Sequence, residues 1–124
     1  HRRVAAIAHS IRSIVQDMDV KYLVIWSQLG GGAVYLSQQR ILRPILFFSP
    51  SETMLRRTSL LYGIKPMTMS QPESVTDFLK SVDALLLENK WAERSDTIVG
   101  LLAEPIHKMG IANEIVIHYV GDVS

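Results

Sequence analysis

The chain has 124 residues, 48% of them hydrophobic and 20% charged, and its 13 basic side chains against 12 acidic ones leave a formal charge of +1. This length supports one continuous core rather than two, and a balanced charge with scattered basic residues implies neither nucleic acid nor an anionic membrane as partner. Cysteine is absent, which excludes disulfides, thiolate metal sites and cysteine nucleophiles, and fits a reducing compartment.

Val4, Ile7, Ala8, Ile11, Ile14, Val15 and Met18 recur at spacings of three and four, which predicts an amphipathic helix over residues 2–18. The same stretch is basic and acid-free, somewhat like an organelle transit peptide, but its apolar positions are those of a packed helix. The cytoplasm is therefore the expected location, with an organelle left open. "KYLVIWS", residues 21–27, is short and continuously apolar at its centre, as expected of a strand covered on both faces. Three glycines follow, and then a helix over about 32–40. "ILFF" is a second buried strand, after which Ser51 caps a helix reaching about Tyr62, with Gly63 closing it. "IKPMTMS" predicts a third strand that Pro66 demotes to an edge or a bulge. A long helix runs from Pro72 to about Lys90 with Val75, Phe78, Leu79, Val82, Leu85 and Leu86 inward, and "DTIVGLLAE" is a fourth strand.

The last connection, residues 105–113, is too short for a crossover helix before "EIVIHYV" begins. A parallel return needs about a dozen residues or more, so the fifth strand is predicted antiparallel and the four before it parallel. The expected fold is a three-layer α/β/α domain with a mixed five-stranded sheet. It spans residues 1–124 as a single domain, and the start at His1 without an initiator methionine suggests a piece of a longer chain. The longest apolar runs, "ILFF" and "IVGLLA", fall far short of the roughly 20 residues of a spanning helix.

Few groups carry chemistry. Open parallel sheets bind ligands at the carboxyl ends of their strands, which is where "SQLGGGA" falls, and glycines let backbone N–H groups approach an anion. A nucleotide P-loop would continue with Lys and then Ser or Thr, yet Ala33 and Val34 follow Gly32; a dinucleotide fingerprint would need glycine where Tyr35 stands. A phosphate cradle and a bare turn both remain open. His1, His9, His107 and His118 share no ligand spacing and no acidic cluster, so no metal site or cofactor is predicted in this domain. His9 and His118 are expected at the surface or rim, while His107 and Lys108, in a loop at a sheet end, could meet an anion. No Ser/His/Asp set assembles from neighbouring motifs, and no catalytic residue is assigned. Trp26 and Trp91 are expected to pack.

"LVIWSQLGGGA", "QQRILRPILFFSPSETMLRRTSLLYGIKP" and "MGIANEIVIHYVG" occur in an order that resembles the carboxyl-terminal domain of pyruvate kinases over nearly the whole chain. Arg40, Pro44, Pro50, Glu52, Arg56, Leu60, Gly63 and Pro66 carry the match in the middle, and Gly110, Asn113 and His118 near the end. The resemblance implies a regulatory and oligomerisation domain, not catalytic by itself, whose parent transfers a phosphoryl group from phosphoenolpyruvate to ADP in glycolysis. The parent's separate barrel would hold the magnesium and potassium. It also implies a sugar-phosphate or nucleotide effector between the first-strand loop and the loop before the last strand, and a homo-oligomeric assembly. The candidate effector residues are Ser27, Gln28, Gly30, Gly31, Gly32, His107, Lys108 and Asn113. Departures are visible: the family's hydroxyl positions are Leu29 and Gly32 here, its frequent basic residue is Gly31, and two threonines before Asn113 are Ile111 and Ala112. An effector grip that is weakened or altered is therefore expected. A stand-alone domain binding another small phosphorylated ligand, and a purely structural interaction module, are the alternatives.

Overall fold

The apolar runs that predict strands assemble into one sheet. The computed structural model describes residues 2–103 and 114–122. Along them run α1 (Arg2–Asp17), β1 (Val20–Trp26), α2 (Gly31–Gln38), β2 (Ile45–Ser49), α3 (Glu52–Thr58), β3 (Ile64–Thr68), α4 (Val75–Glu88), β4 (Thr97–Leu102) and β5 (Glu114–Tyr119). The strand order is β3-β2-β1-β4-β5. β1 pairs parallel with β2 and β4, and β2 with β3. β5 alone runs antiparallel, with Thr97 opposite Tyr119 and Leu102 opposite Glu114, as the short last connection requires.

Strand side chains alternate between faces, and both sets of the inner strands are buried. Leu23, Ile25, Ile45, Phe47, Val99 and Leu101 face one way, against Ala8 and Ile11 of α1, Ala33 and Leu36 of α2, and Met54 and Leu55 of α3. Val24, Trp26, Leu46, Phe48, Ile98 and Leu102 face the other, against Phe78, Leu79, Val82 and Leu86 of α4. Phe48 and Phe78 meet edge to face, their centroids 5.7 Å apart. The result is the expected three-layer α/β/α arrangement. Pro66 lies opposite Phe47 in β3, an edge strand, where a missing N–H costs no ladder bond on the open side. Trp26 is buried and donates its indole N–H to the Met69 carbonyl at 3.1 Å.

Two helix boundaries differ from expectation. α3 ends at Thr58 rather than near Tyr62, so Gly63, with φ 75°, turns the chain into β3 instead of closing the helix. The continuation of apolar residues misleads because Leu60 is 88% exposed. α4 starts at Val75 rather than Pro72: Ser74 is its N-cap, its Oγ accepting from the Asp77 amide at 3.0 Å.

Candidate functional site

Strand order reverses beside β1, with β2 and β3 on one side and β4 and β5 on the other. In open α/β sheets the crevice outside the carboxyl ends at such a reversal is the usual ligand site. Ile25 pairs with Leu101 near those ends, so the glycine loop after β1 leaves the sheet next to the connection after β4. That connection returns at Glu114, opposite Leu102, placing both of its ends at the same rim.

The three glycines have three different reasons for being there. Gly30 is the N-cap of α2 and holds φ 77°, a conformation that costs any residue with a Cβ. A Cβ there would also come within 3.0 Å of Sδ of Met54 on α3. Gly32 has an ordinary φ, but a Cβ would lie 2.6 Å from Cδ1 of Ile25 and 3.3 Å from Cδ2 of Leu101, so this glycine brings α2 close onto the sheet. At Gly31 a Cβ meets nothing within 4 Å, and the residue is exposed. Two glycines are thus explained by turn and packing; only Gly31 is free of either demand.

Ser27 organises the loop from within. Its Oγ accepts from the amides of Leu29 at 3.1 Å and Gly30 at 2.9 Å, a short side-chain turn of the kind serine favours. Both amides are thereby taken by the protein's own hydroxyl. That hydroxyl keeps its proton to donate. α2 has no side-chain cap, so the positive end of its dipole, at Gly31 and Gly32, carries no capping oxygen. Gln28 is exposed beside it, Ser27 and Gly32 are half-buried, and Gly30 is buried. The arrangement can offer backbone and hydroxyl donors to an anion. His107, Lys108 and Asn113 lie outside the described residues.

His118 is not the rim residue expected from its alternation with Ile117 and Tyr119. It is 7% exposed, and its Nε2 lies 3.0 Å from both carboxylate oxygens of Asp83 on α4. One of those oxygens also accepts from the Gly121 amide at 2.9 Å. The missed signal is Asp83 itself, an acid inside the apolar stripe of Leu79, Val82 and Leu86, since a buried carboxylate needs a partner. His9 is exposed, as expected. Among the described residues no group of three or more His, Cys, Asp or Glu could hold a metal ion, and no helix is long and apolar enough to cross a membrane.

Comparison with known proteins decides the family. The model of the pyruvate kinase alpha/beta domain matches residues 5–118. The chain belongs to that family. It is 28% identical over 119 residues to the pyruvate kinase of Staphylococcus aureus strain USA300, covering 96% of this chain and 20% of the relative. Figures for the enzyme of the bovine strain RF122 are the same. The chain therefore spans about a fifth of the length of the curated relatives it matches. A crystal structure of Cryptosporidium parvum pyruvate kinase superposes with a TM-score of 0.79 at 18% identity, over 94% of this chain and 22% of that one. A second pyruvate kinase structure from the same organism gives 0.79 at 20% identity, over 95% and 23%. At these identities the structures establish a shared fold, and the pyruvate kinase alpha/beta domain architecture agrees with the topology described above.

Proposed function

We propose that this pyruvate kinase alpha/beta domain is a regulatory and oligomerisation module, not catalytic by itself, whose effector site is weakened or altered. In this reading it is one domain of a longer, cytoplasmic chain. The parent's catalytic barrel would carry out phosphoryl transfer from phosphoenolpyruvate to ADP with magnesium and potassium, and this domain would report on a sugar phosphate or nucleotide. The observation that carries the proposal is the glycine loop at the strand-order reversal, built around Ser27 but short of side-chain donors. Leu29, Gly31 and Gly32 supply neither hydroxyl nor charge, and Ile111 and Ala112 stand where the family resemblance expects two threonines. Each hydrogen bond to a charged group is worth about 1.5–3 kcal/mol, so the loss of several weakens phosphate binding by orders of magnitude. With Leu29 and Gly30 amides engaged by Ser27, what remains for an anion at this loop is the Ser27 proton, the exposed Gln28 side-chain amide and the first amides of α2.

Calorimetry of the chain with fructose 1,6-bisphosphate, ribose 5-phosphate and AMP tests this reading. The expected result is millimolar or weaker binding by calorimetry, with ligand-induced amide shifts in NMR spectra that include residues 27–33. Micromolar affinity accompanied by shifts at residues 27–33 would sink the idea of a weakened site, and the absence of any shift at residues 27–33 would remove the glycine loop from consideration.

A further inference from the structure

At the opposite end of the sheet, α1 and the connection between α2 and β2 enclose a cleft of about 410 Å³ lined by Arg12, Gln16, Arg40, Ile41, Leu42 and Arg43, among others. We infer that this cleft is a second anion site, built for the phosphate group of a small phosphorylated molecule and separate from the glycine loop. Three arginines line it and no acidic residue does. Among the described residues none of the three forms an ion pair, so no described carboxylate offsets their charge. Guanidinium presents its donors in a planar fork that matches phosphate oxygens, and a dianion with several oxygens can engage more than one fork at a time.

The three side chains come from segments held in place. Arg43 donates from Nε to the Val20 carbonyl at 2.7 Å and from Nη1 to the Leu42 carbonyl at 2.7 Å, which locks its plane against the start of β1. Arg40 sits in the left-handed region at φ 52° and lies 4.6 Å over the Tyr62 ring. Ile41, between them, is buried in the core and anchors the loop. Arg12 and Gln16 are four residues apart on α1 and so share a face of that helix. Arg43 and Arg40, held by these contacts, lose little freedom on binding, while Arg12 closes on the anion from α1. Its volume falls within the range of small-molecule sites. A neighbouring groove of about 490 Å³ shares Ile41, Leu42 and Arg43 and adds Pro44 and Tyr62, giving the apolar body of a phosphate ester a place beside the charged cleft.

The experiment is a titration of the chain with sodium phosphate against sodium chloride at matched ionic strength, followed by amide and arginine Nε resonances. Saturable, low-millimolar shifts are expected at Arg12, at residues 40–43 and at the arginine side chains, with none from chloride. Arg12→Gln and Arg40→Gln should each weaken phosphate by about tenfold or more, the value of one charge-assisted hydrogen bond. The Arg12 side chain makes no hydrogen bond within the described residues and is exposed, so Arg12→Gln keeps the test decisive should the Arg40 variant fail to fold. No saturation, equal response to chloride, or unchanged affinity in a folded Arg12→Gln protein would each overturn the inference. Shifts at residues 27–33 alone would support the glycine loop and equally overturn this site, so the two proposals fail separately.

Discussion

Nε2 of His118 on β5 bonds both carboxylate oxygens of Asp83 on α4, at 3.0 Å each, with both side chains under a tenth exposed. This pair ties the antiparallel edge strand to the helix that covers one whole face of the sheet, and the same carboxylate takes the Gly121 amide just past β5. Asp83→Ala would strand the buried His118 ring N–H and the half-buried Gly121 amide. At about 1.5–3 kcal/mol for each hydrogen bond to a charged group, the expected loss of unfolding free energy is roughly 3 kcal/mol or more in urea denaturation. Asp83→Asn, which keeps one acceptor oxygen, should lose less. A loss below about 1 kcal/mol for the alanine variant would mean that solvent already satisfies these donors.

The glycine loop predicts an uneven response to one chemical change. Gly31→Ala meets open space and should be neutral or stabilising by up to about 1 kcal/mol, because alanine restricts the unfolded chain. Gly32→Ala drives a methyl into Ile25 and Leu101, both 1% exposed or less and unable to swing away, at a cost of about 1–3 kcal/mol. Gly30→Ala forces a Cβ into the left-handed region at about 1–2 kcal/mol. Thermal unfolding of the three variants should place Gly31→Ala at or above the parent and the other two below it. An equal loss at all three would contradict these reasons for the glycines.

What the chain order reveals and what it hides divide along physical lines. Runs such as "ILFF" and "IVGLLA" are legible as strands because both faces of an inner parallel strand are buried, and Pro66 marks an edge because proline cannot complete a central ladder. The antiparallel fifth strand follows from loop length alone. Leu60 and Tyr62 mislead because apolar identity does not report exposure: they lie 88% and 44% exposed beyond the end of α3. His118 is hidden for a related reason, since strand alternation says that two faces differ but not which is inward. Here Ile117 and Tyr119 face solvent and the histidine faces the core. At the site, the glycines are visible in sequence, whereas the capture of two of the loop amides by Ser27 depends on the backbone path of the folded turn. Arg12, Arg40 and Arg43 look scattered along the chain and meet only because α1 packs beside the connection leading into β2.

Capping gives a further test. Ser74 caps α4 through the Asp77 amide at 3.0 Å, and α4 supplies Phe78, Leu79, Val82 and Leu86 to the core. Ser74→Ala removes the acceptor without touching that face, and about 1 kcal/mol of stability should go with it. For a chain of this size the melting temperature should fall by roughly 3–6 °C. A fall confined to faster amide exchange at residues 75–77, with the global transition unmoved, would show instead that the first turn of α4 frays independently of the fold.

The outer edge of β5 offers a contact for the proposed oligomerisation. Ile117 and Tyr119 are 44% and 49% exposed on the same side of an edge strand, while Ile115 on that side packs against the core cluster under α1 and α2. An edge with unpaired backbone groups and no charge on its exposed positions invites pairing with another strand. Two copies of β5 running antiparallel would bring the same residues together across a two-fold axis, the commonest symmetry of soluble oligomers. The chain is therefore expected to dimerise with rising concentration in light scattering. Ile117→Lys places a charge opposite or near its own symmetry mate, where like charges repel, and should shift the equilibrium towards monomer without lowering the melting temperature of the monomer. A chain that stays strictly monomeric at high concentration, or an Ile117→Lys variant that associates as readily as the parent, would overturn this edge as a subunit contact.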